Sequence, residues 1–154
     1  LHTRLRHVHD RLGAAHAPRP RVAVLEWTDP VFTAGHWVPG MVHRAGGVDA
    51  LAAPGAHSRA IEVAEVASAA PEVLVFAPCG YDLARATREA SGVLGSEGWA
   101  WARGRAAWAI DANALASRPG PRVVDGVETM AALLHPSLFG EPATDRAARL
   151  TTEG

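Results

Sequence analysis

The sequence predicts an α/β protein in three layers, a mainly parallel sheet flanked by helices and preceded by an N-terminal helix. Short apolar runs at Arg21–Glu26, Glu72–Ala77 and Ala106–Ile110 read as buried strands. Segments with helical periodicity separate them, and Gly and Pro mark the joints. With 154 residues the chain suits one compact core, since domains cluster at ~100–150 residues.

Leu1, Leu5, Val8 and Leu12 recur at steps of four, three and four, one apolar stripe of a helix, which Gly13, Pro18 and Pro20 end. His2, His9 and His16 lie along one side of it. Neighbours in that series are two turns, ~10 Å, apart, too far to share an ion whose ligands sit at ~2 Å. They read as solvated or partner-facing, and no metal site is assigned.

The Arg21–Glu26 strand leads into a loop, Trp27–Gly35, and then a helix from Trp37 to Ala45 that holds Val38, Met41, Val42 and Ala45 on one side. Pro39 is tolerated in its first turn, and Gly46-Gly47 stop it. Residues 48–57 form a short strand or turn, and Ile61–Ala69 is a helix closed by Pro71. The second strand ends at Pro78-Cys79-Gly80, before a helix from Tyr81 to Leu94. The third precedes a loop from Asp111 to Gly120 and a last helix from Pro121, which buries Val124, Val127, Met130, Ala131 and Leu134 and stops at His135-Pro136. The stretch 139–154 reads as a polar, frayed tail.

Fifteen Lys+Arg against sixteen Asp+Glu give a net charge of -1, without the basic excess that grips a nucleic acid backbone. No apolar run approaches the ~18–20 residues of a membrane span. The start, Leu1 to Arg6, has no h-region of a signal peptide, and it opens without Met inside a helical pattern, so the natural start is expected upstream. The single Cys79 allows no internal disulfide. Neither G-x-G-x-x-G nor G-x-x-x-x-G-K-[ST] follows any strand, so nucleotide chemistry has no support.

In parallel sheets ligands gather at the carboxyl ends of the strands, here the segments Trp27–Gly35, Pro78–Tyr81 and Asp111–Arg118. The first offers Trp27, Asp29, Phe32, His36 and Trp37, aromatic surface with polar handles for a large flat ligand; packing into the core is the competing role for each ring. The second places Cys79 and Gly80 before a helix N-terminus. A catalytic thiol needs a base oriented by a third group, and no motif supplies one, so no catalytic residue is assigned and a thiol under a turn is preferred to a thiol-dependent hydrolase. In the third, Arg118 either faces a cleft or ties down the loop stiffened by Pro119 and Pro121.

From about Arg21 to Pro136 the sequence resembles the C-terminal lobe of the cobalamin-binding substrate-binding proteins of ABC importers, part of the class III periplasmic group with two lobes joined by a long helix. The resemblance rests on Glu26-Trp27-Thr28-Asp29-Pro30-Val31-Phe32, Gly35-His36-Trp37-Val38-Pro39, Ala45-Gly46-Gly47, Pro71-Glu72-Val73-Leu74-Val75, Ala77-Pro78-Cys79-Gly80-Tyr81 and Ser117-Arg118-Pro119-Gly120-Pro121-Arg122. It implies that residues 1–17 end the interlobe helix and 21–138 form the ligand-binding lobe. It implies non-covalent capture of cobalamin or a related corrinoid, with haem or a ferric siderophore as alternatives, and no covalently bound cofactor. The ligand edge would be Trp27, Asp29, Phe32, His36, Trp37, Cys79, Gly80, Tyr81 and Arg118. An ABC permease would be the partner, docked through Glu62 or Glu65, although Ala64 stands where a glutamate is often found. The location implied is periplasmic or anchored at the cell surface. With the N-terminal lobe missing, the uncovered surface could drive homodimerisation.

Overall fold

A computed structural model describes residues 1–152. In chain order its elements are helix α1 (His2–Ala14), strands β1 (Arg21–Thr28) and β2 (Val31–Thr33), helix α2 (Val38–Arg44), strands β3 (Val48–Asp49) and β4 (Ala60–Ile61), and helix α3 (Val63–Ser68). There follow β5 (Val73–Phe76), α4 (Leu83–Leu94), a 3-10 helix (Glu97–Ala102), β6 (Ala106–Ile110), α5 (Ala112–Leu115), α6 (Arg122–Leu134), α7 (Pro136–Phe139) and β7 (Ala147–Arg149). The sheet order is β4-β2-β1-β5-β6-β7, with β3 beside the start of β1.

β1, β5 and β6 pair in parallel at the centre. Both their faces are covered, which is why they read as unbroken apolar runs. Alternation along each strand decides what goes where. Val22, Val24, Val73, Val75, Trp108 and Ile110 face a core shared with α1, α2, α5 and α6. Ala23, Leu25, Leu74, Phe76, Ala107 and Ala109 face the opposite layer, where α3, α4 and the 3-10 helix contribute Val66, Ala86, Ala90 and Trp99. Small side chains on both the sheet and α4 let that helix approach closely, and Phe76 and Trp99 fill the remaining space.

Two helix starts are set by side-chain caps. The Asp82 carboxylate accepts from Arg85 N at 2.8 Å at the start of α4, and Asp111 does the same for Ala114 N at 2.9 Å at the start of α5. α1 docks on α6 through buried Val8 and through the Arg4 guanidinium, which bonds Asp125 and Glu128. Gly46 links α2 to the end of α6. Its φ is +88°, and a Cβ there would lie 2.6 Å from His135 Nε2, so only glycine fits.

Both edges of the sheet depart from expectation. The expected loop at 27–35 is instead a hairpin: β1 runs on to Thr28, turns at Asp29-Pro30 through a cis bond, and returns antiparallel as β2. Trp27, Thr28, Val31 and Phe32 are strand formers, and the Asp-Pro pair between them is the turn and not the start of a long loop. The expected frayed tail is ordered over its described part. β7 pairs antiparallel with β6, and Ala147 and Leu150 are buried. The expected helix at 61–69 begins two residues later, because Ala60 and Ile61 pair with β2.

Candidate functional site

The three strand ends are stitched into one edge by their backbones. Ala77 N donates to Leu25 O at 2.9 Å and Cys79 N to Glu26 O at 3.1 Å, which fixes the 77–82 turn against β1. Asn113 N donates to Tyr81 O at 3.1 Å, and Gly80 N to Ser117 Oγ at 3.0 Å, which brings in the segment after β6. The Trp37 indole N–H closes the set on Ala116 O at 3.0 Å. The α2 N-terminus and the three strand ends are therefore tied together by hydrogen bonds.

Between them opens a cavity of about 250 Å³. Val24, Ala34, Trp37, Val38, Ala77 and Ala116 supply apolar walls, and Glu26, His36, Cys79 and Ser117 supply polar groups. His36 and Cys79 are exposed, and Trp37 is half-buried. An apolar floor under a few convergent polar groups is the make-up of a small-molecule site. Among the described residues no three His, Cys, Asp or Glu side chains converge to hold an ion.

His36 holds an unusual backbone, with φ of +57°, a region that non-glycine residues seldom occupy. The following loop over-determines it. His36 N donates to Ala56 O at 2.7 Å, and Gly55 N donates back to His36 O at 2.9 Å. Gly35 permits this approach, since a Cβ on it would lie 2.4 Å from Ser58 N. The same loop sets the His57 ring edge-on to His36, centroids 5.4 Å apart, while Trp37 lies 5.9 Å from His36 on the other side.

Of the other expected ligand residues, Trp27 and Tyr81 meet edge to face at 5.2 Å, and the Arg85 guanidinium lies 3.8 Å over the Tyr81 ring. Phe32 pairs with Trp27 across the hairpin. These residues and Gly80 stand beside the cavity and do not line it. Asp29 lies on a different groove, with Thr28, Arg85, Arg88 and Glu89. Arg118 is exposed and makes no side-chain hydrogen bond among the described residues, so it does not tie down its loop.

The two expected docking carboxylates differ. Glu65, in the first turn of α3, is bonded by the Arg59 guanidinium, which holds its carboxyl below the usual range. Glu62 sits off the helix at its N-cap, exposed, and forms no ion pair among the described residues. Glu26 and Ser117 stand in the motifs that carry the resemblance but were not assigned to the site by sequence reasoning, and His57 was not singled out at all. Glu26 closes an apolar strand run and gave no signal of its own, whereas Ser117 stands next to the expected Arg118.

No protein-family model and no curated protein matches the chain. Solved structures do. A periplasmic heme binding protein from Pseudomonas aeruginosa superposes with a TM-score of 0.76 at 26% identity, over 99% of this chain and 56% of that one. An ABC transporter substrate-binding protein from Listeria monocytogenes gives 0.72 at 16% identity, over 86% of this chain and 53% of that one. The periplasmic vitamin B12 binding protein of Vibrio cholerae gives 0.62 at 22% identity, over 86% and 50%. The chain thus spans about half the length of these structures.

Proposed function

We propose that this chain, which has the fold of the C-terminal lobe of the class III periplasmic binding proteins, is the part of an ABC-importer substrate-binding protein that grips a metal chelate, a corrinoid such as cobalamin. The observation that carries this reading is the rigid edge on which Trp37, His36, Cys79 and Ser117 surround an open, apolar-floored cavity. A large planar chelate lies against such an edge by shape and stacking. The P. aeruginosa neighbour, a heme binding protein, supports haem as the second reading, with a ferric siderophore behind it. The lining itself favours the corrinoid. Glu26 is its one carboxylate and no arginine lines it, an unfavourable setting for the two carboxylates of haem and a tolerable one for the amide fringe of a corrinoid.

Delivery would be to the permease of the importer, in a periplasmic setting like that of the neighbours or at the cell surface. With Glu65 engaged by Arg59, Glu62 is the carboxylate available for docking. A thiol hydrolase at Cys79 fares worse, because the His36 ring donates no orienting hydrogen bond to a third group among the described residues.

One lobe supplies about half of an interlobe contact. At ~25 cal/mol per Å² of buried apolar surface the missing half is worth several kcal/mol, so binding by this chain alone is weak. Titration with cyanocobalamin and with haemin, followed by Trp fluorescence, checks the reading. Quenching by cyanocobalamin with a dissociation constant above the micromolar range is expected, with haemin weaker. Tighter binding of haemin would replace the corrinoid by haem, and no quenching by either would defeat both.

A further inference from the structure

We propose that the groove between α1 and α2 is a second binding site, for a linear anion that carries phosphate-type charges and no aromatic groups. The groove has a volume of about 940 Å³ and is separate from the cavity at the strand ends. The histidine series His2, His9 and His16, left without a role above, lies along one wall with Arg6 between its members. Arg44 in the last turn of α2 stands on the facing wall, and Arg19 closes one end.

Charge is concentrated here in a chain whose net charge is only -1. No Asp or Glu lines the groove. Arg6, Arg19 and Arg44 take part in no ion pair among the described residues, while Arg4, on the opposite side of α1, is neutralised by Asp125 and Glu128. The acidic side chains of the fold thus compensate the face of α1 that docks on α6 and leave the groove face cationic. Asp10, on α1, is exposed and lies off the groove wall. Arg19 is also held in place: its guanidinium donates to His43 O at 2.7 Å and to Gly47 O at 3.0 Å, and lies 2.9 Å from His43 Nδ1.

Three features select the ligand class. All fifteen Lys+Arg residues of the chain are arginine, whose planar fork suits phosphate oxygens in pairs. From His2 to Gly13 the helical wall runs ~16 Å at ~1.5 Å per residue, and His16 extends it beyond the helix, longer than one phosphate and suited to a chain of them. No Phe, Trp or Tyr lines the groove, so nothing there would stack a base, as single-stranded nucleic acid requires. A concave wall also fits a strand better than a flat lipid surface.

Calorimetric titration of the full chain with a short linear inorganic polyphosphate tests the proposal. Saturable binding at low salt, weakened as NaCl is raised, is expected. The double variant Arg6→Gln, Arg44→Gln should lose about tenfold or more in affinity, since two charge-assisted bonds are removed. The control Arg103→Gln, Arg122→Gln, which takes away equal charge from exposed sites elsewhere, should leave binding unchanged. Circular dichroism shows whether each variant is folded, and the single Arg44→Gln repeats the comparison if the double variant is not. Absence of saturable binding, equal losses in the test and control variants, or a preference for oligothymidylate or for phosphatidylglycerol vesicles would each overturn it.

Discussion

Asp49, the last residue of β3, accepts hydrogen bonds on Oδ1 from Leu51 N at 2.9 Å and Ala52 N at 3.0 Å, while its buried Oδ2 has no partner. Burial outweighs those two bonds and pushes the carboxyl up to about 6. A carboxyl raised on folding stabilises the protein when protonated, below its unfolded value near 4, and that contribution is lost as pH rises through 6. Going from pH 4 to 7 therefore costs about 2–3 kcal/mol from this residue. Burial acts on His135 in the opposite sense: its lowered value means stability lost as pH falls. The readable quantity is thus the difference between Asp49→Asn and the parent, since asparagine keeps the Oδ1 acceptor. Urea unfolding at pH 5 and pH 7.5 should show the variant gaining on the parent by about 1 kcal/mol over that interval. At this scale the candidate site was legible where it used turn chemistry. His36, Trp37 and Cys79 stand beside Gly and Pro at strand ends and could be found from spacing. Glu26 could not, because the register of the hairpin shifts between Leu25 and Trp27, and the sequence carries no mark of a bulge. His57 was hidden for another reason: its approach to His36 depends on a loop bonded across some twenty residues.

The central strands and the longer helices follow from periodicity alone, since burial on both faces leaves an apolar run and burial on one side leaves a stripe. The edges did not follow. β2 and β4 are three and two residues long, too short to establish a period, and β7 is an Ala-Ala-Arg stretch whose strand character comes from the open edge of β6. Pairing there matters, because an uncovered edge invites other chains. Leu150, 7% exposed, donates its N–H to Ala107 O at 2.8 Å and anchors this end. Leu150→Ala should destabilise by about 2–4 kcal/mol, seen as a lower urea midpoint with unchanged slope. An effect below about 0.5 kcal/mol would mean that β7 adds little to the sheet. The aromatic content also sorts by element. Trp99 and Trp108 are buried and Trp101 stacks on Trp99 at 5.5 Å, all three in the layers around the sheet. Only Trp27 and Trp37 of the five stand at the strand-end edge, so composition overstated the aromatic surface offered there. Gly46→Ala should be worse than the usual surface change, since its Cβ would meet both His135 and Leu12 and its φ disfavours any side chain. A loss of about 2 kcal/mol or more is expected in the same urea series.

Taken whole, the chain is a lobe with two unlike faces. Its strand-end cavity is largely apolar and lined by no arginine, whereas the groove along α1 is cationic. Neighbours that share the fold are about twice as long, and on the proposed reading the cavity is one half of a cleft, which accounts for its being open and small for a chelate. Because Trp37, Ala116, Gly80 and Ser117 are already bonded to one another, little ordering is left for a ligand to impose, and what affinity one lobe has is not spent on closing a loop. The central claim is that a corrinoid lies on this edge, and backbone amide NMR of the isotope-labelled chain during titration with cyanocobalamin tests it most directly. Shifts that saturate and concentrate at 26, 36–37, 79–81 and 116–118 are the result expected, with residues 2–16 unmoved. No saturable shift at millimolar ligand, or shifts centred on α1 and α2 instead, would contradict the account.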